Sequence, residues 1–543
     1  MTRVSLCAAW AALAVVLVVG VPLVYRTPVW VDVTYHDVSA WNVLHGGTHY
    51  RDVFETNLPG MVWAHCLIRS QLGYGHEAIR AVDLVVVLWT CLFLARLLNR
   101  AGLARSGRVW FLTAAALFYL FETEFIHCQR DTWMLSLAVI ATNLRLSPSP
   151  RRSVRVAEGL LWGAAVWIKP HVLVPALCVW LVSLRFTPPP TRWREAAGLL
   201  AGGLIAGAAG AAWLVWSGTW GPMWDVLLNW NGEYYRWSWE HLWIKIKIVP
   251  AYFPPFSLLH VVAMPVAIFA LFRGGLERAV LAALYLGWLA QATVIQKEFD
   301  YAHAPAIFLG LAVLAVYRWP VGPVFLAWCV AGGLSHELAD RPGWLSRLQD
   351  RYPRATRMGV PAHPSVRSDR LGLWPRCWDD NSWELKDRLT YYRDIHCAPD
   401  WADLDRVASF LQDRGVGDGD LICWHDATHP LYVMLGVRPG FRFPHVLTAM
   451  KFRSKLPTIR AEAFASRARF VVSDLVPVTY TASFYPAPPP GPVDTLPREF
   501  PAWGKDVYPW NQPVVFRAGR YFVHEVREPR GEIEFPFPEE MKE

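Results

Sequence analysis

The apolar residues of this chain are gathered into blocks of about 15 to 22 within the first 335 positions, the length that crosses a bilayer. Inside a hydrocarbon core every backbone N–H and C=O must be satisfied by the segment itself, which leaves helices or a closed barrel. Blocks of this length are too long for barrel strands, so the fold class expected is an α-helical polytopic membrane protein. The last 208 of the 543 residues have the composition of a water-soluble tail. Overall the chain is 54% hydrophobic and 18% charged, which excludes a disordered polymer. Nine cysteines in this length exclude a small disulfide scaffold.

The formal charge of +8 is placed topologically. Arginines cluster in alternate short loops, at Arg96, Arg100, Arg105 and Arg108, then Arg145, Arg151, Arg152 and Arg155, then Arg185, Arg192 and Arg194, with Arg273, Arg278 and Arg318 following. Acids gather in the intervening loops, among them Asp32, Asp37, Asp52, Glu55, Asp131, Glu298 and Asp300. That is the positive-inside pattern, and it argues against nucleic acid as the partner. It predicts a cytoplasmic N-terminus and about eleven spans, near 4–25, 79–95, 109–126, 131–144, 156–168, 171–184, 196–216, 256–272, 279–296, 303–317 and 320–335. Leu58–Gly73 is short and holds His65 and Arg69, so it reads as interfacial or re-entrant. An odd number of spans puts the tail outside. The spans at 131–144, 156–168 and 171–184 are shorter than the ~20 residues of a full crossing, so either the bilayer thins there or the helices end early around a water-filled cavity. The tryptophan-rich stretch 217–254 reads as an interfacial belt helix, or else as a flexible lid or a lipid-substrate wall.

Three regions follow: a membrane unit over 1–335, an irregular linker rich in Pro, Arg and Trp over 336–398, and a small α/β extracytoplasmic domain over 399–543. Within the last, Leu404–Gln412, His429–Leu435 and Ile459–Ser466 have helical patterns. Asp420–Trp424 and Arg469–Val472 read as strands, and Val514–Arg517 with Tyr521–Val526 as a closing hairpin. Alternation of helix and strand predicts three layers around a short sheet, with the proline run at 487–492 a linker within it.

The candidate chemistry starts in the first outer loop. Asp32 lies just beyond the first span; Leu44 and Gly46–Gly47, then Tyr50–Arg51–Asp52, then Leu58–Pro59–Gly60 follow. Further on come His127–Cys128–Gln129–Arg130–Asp131, Lys169–Pro170, and Gln296–Lys297 with Tyr301–Ala302–His303. This series, in this order and on one predicted side, resembles the GT-C type glycosyltransferases, polytopic enzymes that take a sugar from a polyprenyl-phosphate carrier. They include protein O-mannosyltransferases and lipid A aminoarabinose transferases. Many relatives carry a Lys just before the prolines, where this chain has Asn57 and Leu58.

The resemblance implies a multi-pass protein of a bacterial cell membrane. Its partners would be a polyprenyl-phosphate-linked sugar donor and an envelope acceptor that is a lipid, a glycan or a protein. It implies an inverting transfer on the non-cytoplasmic face. It also implies substrate-binding roles for Tyr50, Asp52, Tyr301 and His303. Physically, transfer needs a base for the acceptor hydroxyl, and Asp32 is the candidate. The departing phosphate gathers charge and needs cations, for which Arg130, Lys169 and Lys297 are the candidates. Each of these three also fits a cation snorkelling from a helix end. Asp131, the second catalytic candidate, is open to three roles: positioning the acceptor, orienting a cation, or holding a divalent metal.

Two readings of other classes compete: a lipid-linked sugar flippase, and an inactive scaffold for envelope assembly. A transporter should show charged groups on mid-membrane helices and repeat symmetry, and neither is evident. Among weaker signals, Gly203 and Gly207 have the spacing of close helix packing. Cys377 and Cys397 are within reach of a disulfide if the tail is outside, leaving Cys423 over. No Cys-x-x-Cys pair, phosphate loop or dinucleotide fingerprint occurs, which argues against a structural zinc site and a nucleotide-driven pump.

Overall fold

The computed structural model describes residues 3–148, 151–234, 239–249, 253, 256–296, 299–338, 368–390, 398–444, 449, 452–474 and 508–527. In chain order the membrane half contains α1 (Arg3–Arg26), α2 (Val31–Leu44), α3 (Gly60–Leu72), α4 (His76–Arg100), α5 (Arg105–Phe121), α6 (Arg130–Arg145), α7 (Arg152–Ile168), α8 (Leu173–Leu184) and α9 (Pro189–Trp216). The short helices α10 (Trp220–Asp225) and α11 (Asn231–Tyr234) follow, then α12 (Trp239–Ile248), α13 (Leu259–Arg273), α14 (Leu276–Ala290), α15 (Ala304–Val316) and α16 (Val321–Leu338).

All eleven segments expected to span are helical. Among the described residues, five helices are long and apolar enough to cross a membrane: Ser5–Arg26, His76–Arg100, Pro189–Trp216, Phe256–Arg273 and Leu276–Ile295. Three shorter apolar helices cover Pro170–Leu184, Asp300–Val316 and Val321–Val330. Leu58–Gly73 forms α3, which packs beside α2.

At the centre lies α15. All thirteen of its residues are buried and all are apolar or small, the composition of a helix surrounded on every side. The helices α7 and α9 approach more closely than any others named here. A Cβ at Gly159 would strike the Leu199 carbonyl, and one at Gly202 the Val156 carbonyl. Gly198 faces Arg155 and Gly210 the Trp167 ring. The seam therefore runs through every fourth residue of α9, Gly198, Gly202, Ala206 and Gly210, as neighbours on one helical face must. Of the Gly203–Gly207 pair expected from spacing, Gly203 borders the seam, its amide 2.9 Å from where a Cβ at Gly159 would sit, whereas a side chain at Gly207 would meet nothing.

Two arginines of the topological clusters are buried. Arg145, in the last turn of α6, donates to Glu158 of α7 (2.8 Å) and Glu195 of α9 (2.9 Å). Arg155 pairs with the same two carboxylates at 3.3 and 3.4 Å.

The tail contains α17 (Ser368–Leu371), α18 (Trp383–Leu389), α19 (Trp401–Asp413), α20 (Pro430–Leu435) and α21 (Leu456–Ala465). Its strands are β1 (Leu421–Cys423), β2 (Phe470–Asp474), β3 (Val514–Ala518) and β4 (Tyr521–Glu525), in sheet order β1-β2-β4-β3. The pair β1–β2 is parallel; β4 runs antiparallel to both its neighbours. Strand side chains alternate between faces. Leu421, Cys423, Phe470 and Val472 pack with α19 and α20, while Ile422, Trp424 and Val471 pack with α21.

Both interiors extend into the membrane half. Val38 and Val53 join the first; Tyr50, Phe54, Leu214 and Trp230 join the second. Trp230 is thus buried beneath the tail rather than lying in an interfacial belt, whereas Trp220, Trp224, Trp239 and Trp243 are exposed. Cys377 is a buried free thiol; Cys397 and the proline run at 487–492 lie outside the described residues.

One buried polar cluster locks α2 to α3. Asp37 accepts from His65 Nδ1 (2.7 Å) and from Arg69 Nε and Nη2 (2.7 and 2.6 Å). Burial pushes the Asp37 carboxyl up, but Arg69 and His65 outweigh it and bring the pKa down to about 2. A lowered carboxyl stabilises the fold above the ordinary value of 3.8, and loses that contribution as pH falls through about 2. At about 1.4 kcal/mol per unit the contribution is about 2 kcal/mol. Asp37→Asn is expected to lower the thermal midpoint at neutral pH and to flatten its decline between pH 4 and 2, read by thermal unfolding in detergent.

Candidate active site

Asp32 owes its place to the ending of α1. Pro28 cannot supply a backbone donor, and the chain leaves the helix at Thr27. The fully buried Arg80 of α4 donates to the carbonyls of Thr27 (2.9 Å) and Pro28, a cation at the negative end of a helix. The Val29 amide donates to His76 Nδ1 (3.1 Å). Trp30 then caps α2, and Asp32 falls in its first turn, half-buried, where a carboxylate suits the positive helix end.

The second wall comes from α6 and α7. A residue before proline is driven out of helical conformation, and Lys169 is extended (φ −161°, ψ 116°), so α7 stops there and a short turn resumes at Pro170. Its ammonium donates to Asp131 Oδ2 (2.8 Å), in the first turn of α6, and to Gln296 Oε1. Gln296 Nε2 donates to Asp131 Oδ1 (3.0 Å) and to Gln291 Oε1. Both glutamines belong to the π-helical turn that ends α14, Gln291–Ile295, and the residue after it. Asp131 is fully buried and Lys169 is buried.

Asp32 acts electrostatically on Lys169, as does Arg130, which also acts on Asp131. The Tyr301 ring lies 5.8 Å from the Lys169 ammonium. An aromatic run connects the two walls: Trp30 packs on Phe125 and Phe125 on Tyr301. His303, buried at the start of α15, feels the charges of Asp131, Lys169 and Lys245. The Leu58–Pro59–Gly60 turn serves the same place. A Cβ at Gly60 would come within 2.5 Å of the Trp167 carbonyl and 2.6 Å of the Ile168 amide, so glycine lets α3 abut the end of α7 just before Lys169.

Six of the nine residues singled out from sequence thus converge: Asp32, Arg130, Asp131, Lys169, Tyr301 and His303. Two do not. Tyr50 is buried in the tail interface and its hydroxyl donates to the Asn57 carbonyl (2.7 Å). Asp52 accepts from the Thr48 amide (2.6 Å) and from Arg51, closing its own loop, and those bonds hold its carboxyl below the ordinary range despite partial burial. Lys297 lies outside the described residues.

Lys245 was not singled out from sequence. It sits on α12, is buried, and its ammonium donates to the Gln296 carbonyl. The same helix exposes Trp239, Trp243 and Ile246 at i, i+4 and i+7. Of the two lysines of this helix, Lys245 and Lys247, Lys245 is turned further from that stripe, which is the signal that marks it. Among the described residues no group of three His, Cys, Asp or Glu side chains is arranged to hold a metal ion. Both Asp131 oxygens are occupied by Lys169 and Gln296, so the residues present do not fit a metal there.

No family model and no curated protein matches this chain. Among solved structures it is similar to ArnT from Cupriavidus metallidurans in the apo state, at 14% identity and a TM-score of 0.56, covering 95% of this chain and 98% of that one. It is also similar to ArnT bound to undecaprenyl phosphate, at 14% identity and 0.53, covering 96% and 99%. The oligosaccharyltransferase AglB from Archaeoglobus fulgidus, in complex with an inhibitory peptide and a dolichol-phosphate, aligns at 11% identity and 0.40, covering 86% and 69%. The first two likenesses run from end to end, tail included. The chain shares the fold of these two ArnT structures.

Proposed function

We propose that this protein is a membrane glycosyltransferase that moves a sugar from a polyprenyl-phosphate carrier to an envelope acceptor on the non-cytoplasmic face, with inversion. In this reading the acceptor hydroxyl attacks the sugar's anomeric carbon, its proton passes to Asp32, and the bond from that carbon to the carrier phosphate breaks. Lys169, Arg130 and Lys245 receive the phosphate charge, the arrangement that lowers such a barrier most. Asp131 and Gln296 hold Lys169 in place, so Asp131 orients a cation.

One observation carries the reading: a buried Lys169–Asp131 pair within electrostatic reach of Asp32, where α2, α6 and α7 meet. The ArnT likeness supports the carrier, because one of those structures holds undecaprenyl phosphate. The exposed line of Trp239, Trp243 and Ile246 suits the wall of a lipid chain whose head lies at Lys245.

The test compares envelope glycans and polyprenyl-phosphate sugars in native, deleted and Asp32→Asn strains at matched protein level. Both altered strains are expected to lose one sugar decoration and to retain or accumulate its lipid carrier. If deletion removes the decoration and Asp32→Asn keeps it, Asp32 is not the base.

A further inference from the structure

The tail meets the turn that carries the candidate base at Ala398, which packs with Trp30 and Val31, and at the His429 side chain. His429, at the start of α20, places Nε2 at 3.0 Å from the Val31 carbonyl and 2.8 Å from Thr34 Oγ1. Thr34 itself donates to the Val31 carbonyl at 2.9 Å. His429 and Thr34 are both buried, and the Tyr35 ring meets the imidazole edge-on at 5.9 Å. These contacts grip the first turn of α2, the turn that carries Asp32.

Helical geometry makes the grip directional. At about 100° per residue, Val31, Thr34, Tyr35 and Val38 share one side of α2, and Val33 and Asp37 another. The first side meets the tail at His429 and in the α19–α20 interior; the second meets α3 and α4. Asp32 and His36 lie on the remaining side. A helix held on two sides has its third side fixed in rotation.

We infer that His429 is a positioning residue for Asp32, and that the tail completes the active site by clamping α2 rather than by binding substrate as a separate module. This rests on the reading of Asp32 as base. The His429 contacts named above are all with α2, so the clamp is expected to bear on the attacking side of the reaction and to leave carrier binding alone.

The test uses the full chain in lipid nanodiscs, with the undecaprenyl-phosphate sugar fraction from native membranes as donor and undecaprenyl phosphate as binding ligand. His429→Leu is expected to lower kcat about 100-fold, the usual effect of misplacing a reacting group by an ångström, with KM and undecaprenyl phosphate affinity within about threefold. His429→Gln keeps a side-chain donor and is expected to recover most of the rate. The inference is overturned if His429→Leu leaves kcat unchanged. It is equally overturned if that variant loses carrier affinity and rate together without recovery in His429→Gln, since that is general loosening. Asp32→Asn serves as the reference. If it turns over like the native protein, the base assignment fails and the clamp with it. If it is inactive while His429→Leu is fully active, the clamp alone fails.

Discussion

Lys169→Met is expected to reduce transfer by about 100- to 1,000-fold, the cost of removing one preorganised donor from a developing negative charge. It is also expected to destabilise the fold by about 3–5 kcal/mol, because Asp131 is left fully buried without its cation. Those two effects separate in a double variant. Lys169→Met with Asp131→Leu removes both charges, so thermal stability should return toward the native value. Turnover should not return, since the phosphate has still lost its lysine. If activity recovers together with stability, Lys169 is a structural partner of Asp131 and the phosphate is held elsewhere.

At the opposite end of α6, Arg145→Met is expected to cost about 3–5 kcal/mol of stability, read as a fall in thermal midpoint in detergent. Arg145 bridges Glu158 and Glu195 with the shortest bonds of a four-membered cluster of two arginines and two glutamates. Its loss leaves two carboxylates facing Arg155 alone. Arg155 also donates to the Leu144 and Arg145 carbonyls, closing the end of α6, so Arg155→Met should cost a similar amount. Arg151→Met, in a neighbouring exposed position, should change little. Because α6 and α7 carry Asp131 and Lys169 at their other ends, a variant that loosens this cluster should also lower activity at elevated temperature before it unfolds.

The helices were legible because their cause is local: a bilayer-length apolar run has few alternatives, and turn residues punctuate it. The short apolar runs Leu421–Trp424 and Phe470–Val472, each preceded by a charged residue, likewise carried the strands. The six residues that the structure brings together were legible because loop motifs kept them in order along the chain. Lys245 was hidden in a stretch where tryptophan dominates the pattern, and Tyr50 and Asp52 looked functional because a motif cannot say which of its members turn inward to hold the loop.

What the sequence by itself determined is therefore the fold class, the apolar helices and the end of the molecule where charge chemistry gathers. Tertiary structure alone decided the partners. Arg145 of α6 read as a topological charge until Glu158 of α7 and Glu195 of α9 came to meet it, and Arg155 of α7 gained Glu195 from α9 in the same way. The close seam fell on Gly198, Gly202 and Gly210, with Gly203 at its border and Gly207 off it, because helix rotation is set by packing. The tail's grip on α2 joins residues 395 apart. Propensity and periodicity act over a few residues, whereas an ion pair or a helix seam needs two segments brought together by the whole core.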